Sequence, residues 1–344
     1  MSARSTNAAQ PAVVIFTDEI WSPVSKRIVA HLEDLGVPVM LLDEVTVKTL
    51  SVFLDGGDLR VYLDDREIAE PLAVLRLRLP IPPVPDEVSI DARRFHNAQW
   101  WKMLSGLQLA WAEKGIPMVN SPVYGALDDK TAQLIRAANV GFATPETVHT
   151  ASVAPLDRFT EPKDLVAIKP FAPFVRLTNG DGPYQRLLTN VVDLEELTDG
   201  LRTSRVPAPT IVQHVVNATR EHRIVVVDQQ VFGASASRDG LDGIDMRRPA
   251  VTDIGAEASE LPDAVRAQCI KLVEQSGLAM AVLDVLETQP DIDAGNASDW
   301  VFLELNPMGH FLWVEQLTNQ PICRAIALLL AKEALGESHL TTTR

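Results

Sequence analysis

Short apolar runs alternate with stretches of helical period through about the first hundred residues. Residues 12–16 suit a buried strand, Pro23 opens a helix that Gly36 ends, and 37–42 is a second apolar strand. A strand–helix–strand start predicts a small doubly wound sheet. The turn after the first strand reads Thr17-Asp18-Glu19-Ile20-Trp21, without the glycines of a dinucleotide fingerprint. A hairpin is expected over 52–63 around Gly56-Gly57, and 74–79 alternates with Arg76 and Arg78 on one face. The prolines of 80–85 mark an extended connector. A helix is then expected over 90–114, with Trp100, Trp101, Leu104, Leu107, Leu109 and Trp111 as packing positions, followed by a strand over 117–120.

Farther along, a helix over 126–139 stops at Gly141. Strands over 165–169 and 186–189 flank a polar tip, Asn179-Gly180-Asp181-Gly182-Pro183, and this two-stranded unit is suited to act as a lid. Residues 210–214, 221–227 and 230–235 read as consecutive antiparallel strands. A helix over 262–276 leads into a strand at 278–286. An acidic loop at 289–299 returns the chain as a strand at 300–305, and an amphipathic helix over 317–334 closes it. The expected divisions are a disordered tail (1–10), a Rossmann-like unit (11–120), a central lid (121–206) and a C-terminal unit (207–344).

The net charge of −15 argues against nucleic-acid binding, which requires a basic surface, but leaves room for local arginine clusters that hold an anion. No apolar run is long enough to span a bilayer. Cys269 and Cys323, far apart in helical patterns, fit buried thiols better than a disulfide or a metal site. A cytoplasmic protein is expected.

Chemistry concentrates near the C-terminus. In Phe302-Leu303-Glu304-Leu305-Asn306-Pro307-Met308-Gly309, strand alternation projects Glu304 and Asn306 together at a rim that Pro307 ends. A carboxylate beside an amide oxygen suits Mg²⁺ held jointly with phosphates. Asp284 is the one acid in an otherwise apolar strand and needs a partner or a cation. If 278–286 and 300–305 pair as a hairpin, it falls near Glu304, and two acids with an amide can serve phosphoryl transfer. A buried structural hydrogen bond is the alternative for Asp284. Lys169 ends an apolar strand and Lys130 lies on a helix; each alone reads as a solvated lysine, whereas their order before the acid pair suggests phosphate contacts. The strand through Gln213, His214, Val215 and Val216 can present backbone groups to an adenine edge. Glu221 and Arg223 share a strand face, where they meet either a nucleotide or each other as a surface ion pair.

In this order the features resemble the ATP-grasp superfamily over nearly the whole chain, and within it the ligases that cyclise ribosomal peptides, the microviridin or graspetide type. The residues that carry the resemblance are Asn120-Ser121-Pro122, Asp129-Lys130, 141–147, Ala167-Ile168-Lys169-Pro170, Val212-Gln213 and Glu221-His222-Arg223. Residues 302–309 continue into Phe311-Leu312-Trp313-Val314-Glu315, the stretch most specific to the peptide cyclases, with His310 where a glutamine is usual. The resemblance implies an α/β fold, α+β toward the C-terminus, with ATP between lid and C-terminal unit. Lys130 and Lys169 would hold phosphates, Gln213, His214, Val215 and Val216 the adenine, and Glu221 the nucleotide. Asp284, Glu304 and Asn306 would hold magnesium, and Arg223 would stabilise an acyl phosphate. Arg76, Arg78 and Arg247 would contact a precursor peptide whose side-chain carboxylate is joined to a hydroxyl or amine. A ligase of small acids with amines, or a nucleotide-binding protein without turnover, are the other readings, and a homodimer stays open.

Overall fold

The structure, a computed structural model, describes residues 10–120, 129–158, 165–171, 174–175, 185–186, 189–238, 255–288 and 299–336. The expected tail over 1–9, Ser121-Pro122, the helical start at 126–128, the tip at 179–183, Arg247 and the acidic stretch 289–298 lie outside the described residues.

The chain opens with β1 (Val13–Phe16), α1 (Ser22–Asp34) and β2 (Val39–Leu42). Pro23 sits in the first turn of α1, and Gly36, with φ of 72°, turns the chain out of it. A meander of β3 (Ser51–Asp55), β4 (Asp58–Leu63) and β5 (Arg66–Ile68) follows, its first turn made by Gly56 and Gly57 with positive φ. Next come β6 (Ala73–Arg76), α2 (Ile90–Glu113) and β7 (Met118–Val119). The first sheet is parallel in the order β2-β1-β6-β7, as the doubly wound reading requires. One correction concerns the arginines: β6 ends at Arg76, so Arg78 lies beyond the strand and the two do not share a strand face.

The middle of the chain holds α3 (Lys130–Asn139), β8 (Thr147–Thr150), β9 (Leu165–Lys169), β10 (Phe174–Val175), β11 (Gln185–Arg186), β12 (Asn190–Asp193), α4 (Leu194–Thr203) and β13 (Thr210–His214). Here the expectations need revision. The strand at 165–169 is not half of a two-stranded unit; it sits inside a four-stranded antiparallel sheet, β12-β9-β13-β8. β13 joins that sheet rather than the later strands, and its buried Val212 completes a small core with Val166, Leu156 and Leu194.

The last part comprises β14 (Ala218–Val227), β15 (Gln230–Ser237), β16 (Glu257–Ala258), α5 (Asp263–Gln275), β17 (Met280–Thr288), β18 (Trp300–Asn306), α6 (Leu312–Thr318) and α7 (Ile322–Leu335). Its five strands form one antiparallel sheet, β16-β15-β14-β17-β18. The single closing helix expected over 317–334 is two helices, broken where Asn319 takes a left-handed conformation (φ 53°) ahead of Pro321. Nor is α7 one-sided: Ile322, Ile326 and Leu330 belong to a core that includes Val13, Ile15 and Leu75 of the parallel sheet and Val225, Met280 and Val282 of the five-stranded sheet. A helix buried between two sheets is apolar on most faces. Cys269 on α5 and Cys323 on α7 are buried free thiols. Among the described residues no helix is long and apolar enough to cross a membrane.

Candidate active site on the five-stranded sheet

Strand alternation generates the site. On β14, Val225 and Val227 face the core around α7, and Arg223 and Glu221 continue the same face. On β17 the same face runs Met280, Val282, Asp284. Apolar residues thus give way to polar ones along two neighbouring strands. The register then sets Arg223 opposite Asp284 and Asp284 opposite Glu304, a lateral row across β14, β17 and β18. The hairpin of β17 and β18 forms as the sequence suggested, with a bulge just past Asp284.

Within the row, Arg223 Nη1 donates to Asp284 Oδ1 at 2.6 Å and Nη2 to the His310 carbonyl at 3.2 Å. Lys130 Nζ lies 2.5 Å from Glu304 Oε2, and Asn306 Nδ2 donates to Glu304 Oε1 at 3.0 Å. Burial pushes the Asp284 carboxyl up to about 6, with the Glu304 carboxylate adding to the rise and Arg223 opposing it. Burial also acts to raise Glu304, but Lys130 and hydrogen bonds from Asp284 and Asn306 outweigh it and hold Glu304 well below the usual range. Two carboxylates side by side in a buried setting are a place where a divalent cation can neutralise their charge. Two carboxylates and an amide oxygen at a strand rim fit magnesium, which takes few protein ligands and completes its shell with phosphate and water. Among the described residues no group of three or more His, Cys, Asp or Glu side chains could hold a metal.

Gly309 closes against this row. A Cβ there would lie 2.7 Å from Arg223 Nη2, 2.9 Å from Val282 Cβ and 3.1 Å from Asn306 Cβ, so only glycine fits without displacing the guanidinium. Beyond it, His310 stacks on Trp21 at 4.6 Å, Phe311 is fully buried and Arg27 pairs with Glu315 at 2.8 Å. The segment that singled out the peptide cyclases in the sequence is therefore the contact between the five-stranded sheet and α1.

Lys130 is the first residue of α3, not part of its second turn as the longer expected helix would have it. Asp129 caps the helix by accepting from Thr131 N at 2.9 Å and Ala132 N at 3.1 Å. Lys169 ends β9 on the four-stranded sheet, paired with Ile211 in β13. Gln213 is buried and donates to Thr147 Oγ1 at 3.0 Å, while the His214 amide donates to the Glu146 carbonyl at 3.1 Å. Val215 and Val216 follow where the strand stops. Glu221 accepts from Arg238 at 3.0 Å, a partner from β15's end that sequence reasoning missed. The contacts thus join Lys130, Arg223, Asp284, Glu304 and Asn306, whereas Lys169, Gln213 and His214 stand on the other sheet. The basic pair divides: Arg78 is ion-paired with Asp18 at 3.0 Å, and Arg76 ends β6 half-buried, its affinity for the proton lowered by burial. A cleft of about 590 Å³ between α3 and β8, lined by Thr131, Ile135, Glu146 and His149 among others, contains none of the acid row.

No protein-family model matches this chain, and no curated protein matches it. Solved structures do. The macrocyclase MdnC of Microcystis aeruginosa MRC, bound with precursor peptide MdnA, is 23% identical with a TM-score of 0.74, over 93% of this chain and 99% of that one. A RiPP-associated ATP-grasp ligase of Chryseobacterium gregarium, in complex with ADP and a leader and core peptide, is 22% identical with a TM-score of 0.78, over 94% and 97%. The ATP-grasp ligase PsnB, complexed with a variant of its minimal precursor, Mg and ADP, is 21% identical with a TM-score of 0.70, over 94% and 99%. The chain has the ATP-grasp fold. The similarity spans most of the chain.

Proposed function

We propose that this chain is an ATP-dependent, magnesium-requiring ligase that closes an ester or amide ring in a precursor peptide. The observation that carries the reading is the lateral row Arg223–Asp284–Glu304, with Asn306 and Lys130 bonded to it, in an ATP-grasp fold. In the reaction, an oxygen of a peptide side-chain carboxylate attacks the γ-phosphorus of ATP, and ADP leaves. A hydroxyl or amine of the same peptide then attacks the acyl phosphate carbon, loses its proton, and expels phosphate. Each ring costs the peptide one water.

Asp284, Glu304 and Asn306 would hold magnesium, which when bound neutralises charge on the phosphate oxygens. Lys130, at the start of α3, and Lys169, at the end of β9, are assigned to the phosphates. Backbone groups of Gln213, His214, Val215 and Val216 would meet the adenine, and Glu221 the ribose. Arg223 is held from two sides and presents a fixed positive charge to the acyl phosphate and its adduct. Arg76 has no carboxylate partner among the described residues, so it is the better candidate of the basic pair for an anionic group of the peptide. The peptide class follows from the solved relatives, whose own complexes contain precursor, leader or core peptides. We place the reaction in the cytoplasm, where ATP is available and two free thiols persist.

The test is to incubate the protein with ATP, magnesium and synthetic acid-containing peptides encoded beside its gene. One water lost per ring, with one ADP released, is the expected result. Robust ADP release with a small acid and a free amino acid, and no change in any peptide, would transfer the case to a small-molecule ligase.

A further inference from the structure

β18 is the edge strand of the five-stranded sheet, so alternate backbone groups face away from β17 and need partners. At Leu305, between the two candidate magnesium ligands, that partner is a side chain. Gln133 Nε2 donates to the Leu305 carbonyl at 2.8 Å, and Gln133 Oε1 accepts from the Leu305 amide at 3.0 Å. One amide thereby replaces a neighbouring strand, and it is only 3% exposed. Gln133 sits on α3 one turn after Lys130, whose ammonium meets Glu304, and one turn before Ala137, which packs in the same core as Phe302. The helix that supplies a phosphate lysine is thus registered on the strand that supplies the metal ligands.

Asn120 acts on the next residue but one. Buried and held at a left-handed φ of 62°, it donates from Nδ2 to the Pro307 carbonyl and accepts at Oδ1 from the Met280 amide at 3.3 Å. It therefore ties the end of the parallel sheet to the turn after Asn306 and to the start of β17.

We infer that Gln133 and Asn120 are positioning residues that lock the 304–307 backbone, so that the carboxylate of Glu304 and the amide of Asn306 meet a magnesium nucleotide without rearrangement. Both side chains are engaged with backbone groups of Leu305, Pro307 and Met280. The inference rests on the nucleotide reading above, and it separates a positioning role from a purely structural one by how magnesium changes nucleotide affinity.

The experiment is calorimetric titration of ADP into the full chain, once with magnesium and once with EDTA. Gln133→Met, similar in shape but without hydrogen bonds, is expected to reduce the magnesium-dependent gain in ADP affinity by about tenfold. Its affinity in EDTA should stay within about twofold of wild type. Gln133→Glu, which keeps an acceptor for the Leu305 amide, should show a smaller loss and covers the case in which the methionine variant does not fold. Leu104→Ala, on the buried face of α2, lowers stability without touching 304–307 and should leave the magnesium gain intact. A full gain in Gln133→Met and Gln133→Glu, or an equal loss in Leu104→Ala, would overturn the positioning role. Hydrogen exchange of the peptide containing Leu305 gives a ligand-free check: faster exchange in Gln133→Met is expected, and unchanged exchange counts against the inference. Wild-type protein that binds no ADP in either buffer would instead remove the nucleotide reading, which the exchange measurement alone would not.

Discussion

Gly309 is the residue at which packing and chemistry meet most closely, because its missing Cβ leaves room for the Arg223 guanidinium. Gly309→Ala should push Arg223 away from Asp284 and lower turnover on the order of a hundredfold, the usual cost of losing one charge-stabilising group. Binding of ADP in EDTA, which needs neither Arg223 nor the magnesium ligands beside it, should stay near wild type in calorimetry; parallel loss of turnover and of this binding would mean that the loop itself had collapsed. On the opposite face of β14, His222 is buried between Ser259 (3.0 Å), Glu287 (3.1 Å) and the Trp300 ring. Burial lowers its pKa below 6.5, against the pull of Glu287 and with help from Arg220. The unfolded chain therefore binds more protons as pH falls through 6.5, so His222 contributes stability above that pH that is lost on acidification. Melting temperatures from pH 7.5 to 5 should fall less steeply in His222→Gln than in wild type, and identical slopes would contradict this assignment. Glu304, Asn306 and Asp284 were legible because alternation and a lone acid in an apolar strand are local signals. Arg238 was not, since it lies just past the end of β15 and only the β14–β15 register brings it to Glu221, and neither was Gln133, which meets a strand 172 residues away.

Elements with strong local punctuation were read well. α1 has its proline and glycine, α2 its Ser89 cap and closing Gly115, and the β17–β18 hairpin its two apolar strands. Elements defined by distant pairing were not. β8, β12 and α4 passed unnoticed, and β13 was given to the wrong sheet, because a run of five apolar-rich residues says how much of it is buried but not beside which strand. The start of α7 agrees with the resemblance to the peptide cyclases, in which Pro321-Ile322 opens the last helix, whereas the apolar period running through Asn319 masks the end of α6. The left-handed Asn319 makes that break testable. Asn319→Val should destabilise the protein by about 1–2 kcal/mol in urea titrations, and Asn319→Gly should not. Equal stability of both variants would mean that the turn relaxes at no cost.

At the scale of the whole molecule, α7 is the joint. It buries Ile326, Leu330 and their neighbours against the parallel sheet on one side and the five-stranded sheet on the other, with α1 packed beside it. The sequence predicts an amphipathic closing helix, the pattern of a helix that covers one sheet; covering two requires apolar residues nearly all round. This packing brings Trp21 and Arg27 of the first part of the chain onto His310 and Glu315, next to the acid row, where the His310 carbonyl accepts from Arg223. In the proposed reaction, phosphorylation of a carboxylate at this site precedes bond formation. It is tested most directly with a substrate peptide whose side-chain carboxylates carry ¹⁸O. During ring closure in ATP and magnesium, one labelled oxygen should appear in inorganic phosphate for each ring formed. Rings formed with unlabelled phosphate, or with AMP as the product, would contradict an acyl phosphate at this site.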